Sequence, residues 1–192
     1  MLKDLLKSSR SYRSFDESVK ISPVQLADWV DHVRYAPSSI NLQILKFCAV
    51  TDETLCARLL DGTRWAGKIK DQKLPPDGHA PVAYIVICAD KNVVPTAENF
   101  DKDVGICAQT IMLAAAEVGF GGCMIGSFSP NEIKEILRLD ENLVPKLVLA
   151  LGKPDERVEL VGEAPDGSVT YYREDGIHYV QKRNLENILI QK

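Results

Sequence analysis

Arg10 and Arg13 are the first residues whose type and spacing suggest chemistry. They stand in Ser8-Ser9-Arg10-Ser11-Tyr12-Arg13-Ser14-Phe15, two guanidiniums three residues apart with the Ser11 hydroxyl between them. If the backbone turns there, both can converge on one phosphate, and arginine suits that task because its planar fork pairs two oxygens at once. The same residues would also make a solvated polar start to the first element. A second group is Ala36-Pro37-Ser38-Ser39-Ile40-Asn41-Leu42-Gln43. Ser38, Ser39, Asn41 and Gln43 offer amides and hydroxyls able to read a flat heterocycle with alternating donors and acceptors. Ordinary turns use these residues too.

A third run, Gly119-Phe120-Gly121-Gly122-Cys123-Met124-Ile125-Gly126, lets backbone approach a ligand plane closely. It is not a dinucleotide fingerprint, because the spacing fails GxGxxG and the run follows a helix and precedes a strand, the reverse order. No GxxxxGK[ST] loop occurs. A tight helix-to-strand turn accounts for some of these glycines without any ligand. Leu151-Gly152-Lys153-Pro154 sets a cation at a strand end, and Lys182-Arg183 follow much later.

Other chemistries find little support. His32, His79 and His178 lie far apart with no carboxylate at metal-ligand spacing, so no metal site is expected. The five cysteines contain no CxxC pair; Cys48, Cys88 and Cys107 read as small buried hydrophobes in a reducing compartment. A net charge of −4 disfavours generic nucleic-acid binding, which needs a dominant positive field. No apolar run reaches the roughly 20 residues of a membrane helix. The first residues carry charges inside their apolar stretch and lack a signal-peptide core, so a cytoplasmic protein without membrane or nucleic-acid partners is expected.

The elements that position these groups follow from periodicity. Ser22-Pro23-Val24-Gln25 and Ser129-Pro130-Asn131-Glu132 both read as capping boxes with a first-turn proline. After the first, Leu26, Trp29, Val30 and Val33 form one apolar stripe, and that helix must stop by Ala36 because Pro37 disfavours helical geometry before it. After the second, Ile133, Ile136 and Leu137 share a face. A third helix is expected over 103–118, with Val104, Cys107, Ala108, Ile111, Met112 and Ala115 on one face and Gly119 as its left-handed terminus. Short apolar strands are expected at 47–51, 82–89, 123–125 and 147–151, buried on both faces. Residues 61–78 and 162–176 read as polar connections. One domain with an α/β or α+β layered core follows, built from 192 residues of which 45% are hydrophobic.

Taken in order, the Arg-Ser-x-Arg-x-Phe start, APSSINLQ, the helix ending in a glycine-rich turn and the strand into LGKP resemble the FMN-dependent nitroreductase family. The likeness runs over residues 10–154 and more weakly over 171–189; APSSINLQ is its most specific part. It implies an α+β fold, a three-layer α/β/α sandwich with a mixed sheet in an intertwined homodimer, residues 1–192 forming one flavin-binding domain. It also implies that Arg10, Ser11 and Arg13 hold the FMN phosphate, with Arg183 adding to the grip. Pro37, Ser38, Ser39 and Asn41 would reach the flavin from the partner subunit, with Gln43 close by. The turn of Cys123, Met124, Ile125 and Gly126 would lie against the isoalloxazine.

The implied activity is oxidation of NADH or NADPH coupled to reduction of nitroaromatics, quinones or similar flat acceptors, with FMN carrying the electrons and no catalytic acid or base required of the protein. Lys70 or Lys73 could face the flavin pyrimidine. A reductive dehalogenase-like specialist or a non-catalytic flavin-binding protein is the alternative. Departures from the family pattern are Ser9, where a second arginine often stands, and Ile44-Leu45, where Pro-Trp is usual. The chain is also short for the family, leaving little room for a long lid.

Overall fold

Capping and periodicity account for most of the helices. The computed structural model describes residues 1–67, 72–96 and 100–192, which group into two units, Met1–Pro154 and Asp155–Lys192. In the first unit, the Ser22 hydroxyl accepts from the Gln25 amide at 3.2 Å while the Ser22 amide donates to Gln25 Oε1 at 3.0 Å. That box starts α2 (Pro23–Asp31), which buries Leu26 and Trp29 and passes into a 3-10 turn, His32–Tyr35, ending before Pro37. At α5 (Pro130–Leu137) the Ser129 hydroxyl makes its half of the same device, and Ile133 and Ile136 go inside. The long helix α4 (Asp101–Glu117) begins two residues before the expected start, buries the whole expected face and is followed by Gly119 at φ +77°.

Two helices were not evident from pattern. One is α1 (Leu2–Ser8), which buries none of its residues and so shows no core-facing stripe. The other is α3 (Glu53–Asp61), whose Asp52 carboxylate accepts from the Leu55 amide and which buries Cys56 and Leu59. The Asp52 cap and the Leu55–Leu59 spacing were the available signals.

The strands are β1 (Phe15–Asp16), β2 (Leu45–Val50), β3 (Ala83–Asp90), β4 (Gly121–Ile125) and β5 (Leu143–Pro154). They pair in the order β1-β5-β3-β2, with β4 also on β5, and each of these pairings is antiparallel. An isolated parallel bridge joins Ser11 to Gly122. Side chains alternate across the two central strands. Ala83, Ile85, Ile87, Leu149 and Leu151 meet α2 and α4 on one face; Tyr84, Val86, Cys88, Val148 and Ala150 meet α3 and α5 on the other. Each fully buried aliphatic side chain contributes about 1.5–3 kcal/mol, and burial on both faces is what makes this a three-layer sandwich. Cys56, Cys88, Cys107 and Cys123 are buried within it, whereas Cys48 is only half-buried. Among the described residues no helix is long and apolar enough to cross a membrane.

The second unit is a three-stranded sheet. Its β6 (Arg157–Gly162) runs parallel to β8 (Ile177–Lys182), which pairs antiparallel with β7 (Tyr172–Glu174). Tyr172 stacks on Tyr179 at 5.0 Å, and Arg173 forms a buried ion pair with Glu156. The expected connection 162–176 therefore contains β7, a strand of three residues and too short to show a two-residue period.

Candidate functional site

The segment leaving α1 turns against β4. The Tyr12 amide donates to the Gly122 carbonyl at 2.9 Å beside the Ser11–Gly122 bridge, and the Tyr12 hydroxyl donates to the Ser8 carbonyl at 2.8 Å. This turn brings Arg10 and Arg13 to the start of β4. Arg13 Nη1 donates to the Ser11 carbonyl at 3.2 Å, and Ser11 is exposed. Arg10 Nη2 donates to the Leu6 carbonyl at 2.5 Å, while its Nε is buried with no hydrogen-bond partner among the described residues. Burial lowers the Arg10 pKa from its ordinary value. A buried guanidinium donor left unpaired is costly, and an anion is the partner that would satisfy it. The donors present therefore suit a phosphate.

The glycine-rich run divides by cause. A Cβ on Gly122 would lie 2.1 Å from the Ala150 carbonyl oxygen, and one on Gly121 would lie 2.6 Å from the Tyr12 ring. Packing alone requires both glycines. Gly119 ends α4, and its carbonyl accepts from Lys153 Nζ at 2.8 Å, so that lysine caps a helix end. Gly126 is different, because a Cβ there would meet nothing within 4 Å. Exposed Met124 and Gly126 present an open surface at the far end of β4, while the Ile125 side chain goes into the core beneath. From Gly122 to Gly126 the strand spans about 13 Å at 3.3 Å per residue, so the guanidinium corner and the open surface lie toward its two ends.

Residues 36–43 lie elsewhere, between α2 and the start of α4. Ser39 donates to the Asp103 carboxylate twice, through its amide at 2.9 Å and its hydroxyl at 2.6 Å. Gln43 donates to Asn41 Oδ1 at 3.2 Å, and the Gln43 amide reaches the Ser38 hydroxyl at 3.4 Å. Ile40, Asn41 and Gln43 hold φ values of 45°, 57° and 50°. Left-handed geometry costs a non-glycine residue about 1–2 kcal/mol, and for β-branched Ile40 it is a genuine outlier. Pro37, Ser38, Asn41, Gln43, Asp103 and Cys107 help line a cleft of about 310 Å³ there.

The proposed residues thus form separate groups. Arg10, Ser11 and Arg13 meet β4 just after α4 ends, whereas Ser39 is pinned to Asp103 in the first turn of α4. Gly119 lies sixteen positions beyond Asp103, just past the end of α4, about 24 Å of rise. Arg183 belongs to the second unit, where its Nη1 stands 3.9 Å from Glu163. Of the two lysines considered for the flavin pyrimidine, Lys70 lies outside the described residues, and Lys73 is exposed and bound to Asp77 at 2.5 Å. Sequence reasoning passed over Arg64 and Asp103. The Arg64 amide donates to the Ser127 carbonyl at 2.9 Å, and Arg64 lines a polar cleft with Asp61, Gly126 and Ser127. Its signal was a lone basic residue in a loop, which is indistinguishable from solvated surface.

A profile described as Nitroreductase family matches residues 6–153. An NADPH-flavin oxidoreductase of Vibrio harveyi is 34% identical over 199 aligned positions, covering 96% of this chain and 77% of that one. An FMN reductase (NAD(P)H) of Bacillus subtilis is 29% identical, with 88% of this chain and 74% of the relative covered. Among solved structures, an FMN-dependent nitroreductase of Clostridium difficile superposes with a TM-score of 0.64 at 25% identity, covering 80% of this chain and 87% of that one.

Proposed function

The chain belongs to the nitroreductase family, and on that premise we propose that it is an FMN-dependent NAD(P)H oxidoreductase acting on nitroaromatics, quinones or similar flat, electron-poor acceptors. The single observation that carries the cofactor assignment is Arg10, a half-buried guanidinium whose Nε is buried without a partner beside Ser11 and Arg13. FMN, when bound, supplies the hydride- and electron-transfer chemistry. The protein binds, orients and shields. Arg10, Ser11 and Arg13 would hold the phosphate, and the exposed Met124 and Gly126, with buried Ile125 between them, would support the ring. Arg64 is the described cation best placed to favour negative charge near that surface, because its backbone is tied to Ser127 beside Gly126.

The group at Pro37, Ser38, Ser39, Asn41 and Gln43 belongs to a second copy's flavin. Support comes from the placement just described: the phosphate corner and this loop lie toward opposite ends of α4, farther apart than one mononucleotide reaches. A homodimer with FMN at the subunit interface brings the two groups together. Ala114 and Ala115 are buried in the chain's own core, so the partner-facing stripe of α4 falls on exposed Gly105, Ile106 and Gln109. Residues 1–192 act as one flavin-binding domain, and the free, mostly buried thiols suit the reducing cytoplasm.

The test begins with purification of the full chain and a spectrum. Bound yellow cofactor, bleached by NADH or NADPH and restored by acceptor through repeated cycles, is the expected result. A colourless protein that takes up no FMN overturns the reading. One that is bleached but turns over only once with acceptor is a flavin-binding protein instead.

A further inference from the structure

Asp103 is 2% exposed, and both of its carboxylate oxygens are taken by one residue, Ser39. A buried carboxylate is retained where hydrogen bonds satisfy it, and the first turn of α4 adds the positive end of the helix dipole. Among the described residues the Ser39 side chain has no other partner, and the turn's only apolar hold is Leu42, which packs against Ile44, Ala89 and Phe100. Ser39, Ile40 and Asn41 are exposed, Ile40 at 88%. No burial of their own compensates for the left-handed backbone of Ile40 and Asn41. The Ser38–Asn41 and Ser39–Leu42 backbone bonds close the turn, and Leu42 and Ile44 fix its outgoing end against Ala89 and Phe100, but neither holds its incoming end. The Ser39–Asp103 pair, 64 residues apart in sequence, is the polar tie that holds the incoming end.

We propose that Asp103 is a positioning residue for the flavin: it holds the turn through Ser39 in the one shape that presents the Asn41 amide to the heterocycle. The inference rests on the flavin reading above and adds to it a residue outside the binding set. The physical route is a population effect. Without the carboxylate the turn relaxes toward ordinary right-handed or extended backbone, and FMN affinity falls in proportion to the fraction that remains competent.

The experiment compares the parent, Asp103→Ala, Asp103→Asn, Ser39→Ala and Asn41→Ala in the full chain. FMN affinity, the visible spectrum and reduction potential of bound FMN, and circular dichroism are measured for each. Asp103→Ala is expected to keep its fold, to bind FMN roughly tenfold more weakly and to shift spectrum and potential in the direction of Asn41→Ala. Adding Asn41→Ala to it should give no further shift. Asp103→Asn, which keeps one acceptor oxygen, should recover part of the effect, and Ser39→Ala should show an intermediate one.

If Asp103→Ala fails to fold, Asp103→Asn decides, because Asp103 lies outside the binding set whereas Ser39 belongs to it. A parent-like spectrum, potential and affinity in the folded variants overturns the positioning role while the flavin reading stands. A parent that binds no FMN overturns both, and an Asp103 effect that adds fully to that of Asn41→Ala overturns the route through Asn41.

Discussion

Replacing Arg10 with alanine should separate stability from cofactor affinity. Among the described residues the Arg10 side chain makes one hydrogen bond, to the Leu6 carbonyl, worth about 1 kcal/mol net. The substitution loses that bond but also removes a buried, unpartnered Nε, whose desolvation costs about 1 kcal/mol or more. The two nearly cancel, so the unfolding free energy without cofactor should change by less than about 1 kcal/mol. Binding has no such offset. A guanidinium fork on a phosphate makes two charge-assisted bonds of about 1.5 kcal/mol or more each, and losing about 3 kcal/mol is roughly a hundredfold in affinity.

The two quantities can be read in one melting experiment. At FMN set to one hundred times the parent's dissociation constant, the parent gains about 2.7 kcal/mol, or roughly 5–10 °C for a chain of this size. The variant, then only half saturated, gains about 0.4 kcal/mol and barely shifts. A variant that keeps the parent's FMN-induced shift would refute the phosphate assignment. One whose melting temperature collapses without FMN would show instead that Arg10 serves the fold through α1.

Other outcomes are equally specific. Gly122→Ala should lose about 3 kcal/mol or more of stability, because its methyl would meet the Ala150 carbonyl at 2.1 Å and force β4 from β5. Gly126→Ala, with open space around it, should stay within about 0.5 kcal/mol of the parent in urea unfolding yet bind FMN more weakly. Burial pushes Cys56 and Cys107 up to about 11 and Cys88 up to about 12. The unfolded thiols ionise near their ordinary value of about 8.5, so the folded state holds protons that the unfolded state has released. Stability should therefore be full below about pH 8.5 and fall as pH rises toward 11–12, measured as the urea midpoint against pH. A flat profile across that interval would contradict the burial of these thiols.

Local order was written in the chain. Ser22, Pro23 and Gln25 specify a helix start through bonds no longer than three residues, and Gly119 marks a helix end through its own φ. The stripe Val104, Cys107, Ala108, Ile111, Met112 and Ala115 names a buried face because helical period and burial share one geometry. Arg10 with Arg13, and the APSSINLQ segment, marked the two groups of candidate residues for the same reason: their chemistry lies within a few residues of sequence.

What only the fold decided involves partners far apart along the chain. β5 follows β4 in sequence yet lies between β1 and β3 as well as beside β4, an order that no local pattern encodes. Gly121 and Gly122 looked like ligand-facing glycines until Tyr12 and Ala150 packed against them, which left Gly126 as the open one. Asp103 was legible as a helical residue but not as the anchor of Ser39, because a carboxylate's partner is fixed by tertiary closure rather than by spacing. Short-range geometry selects elements, while the long-range contacts that place them depend on which buried surfaces fit, and that fit is a property of the assembled chain.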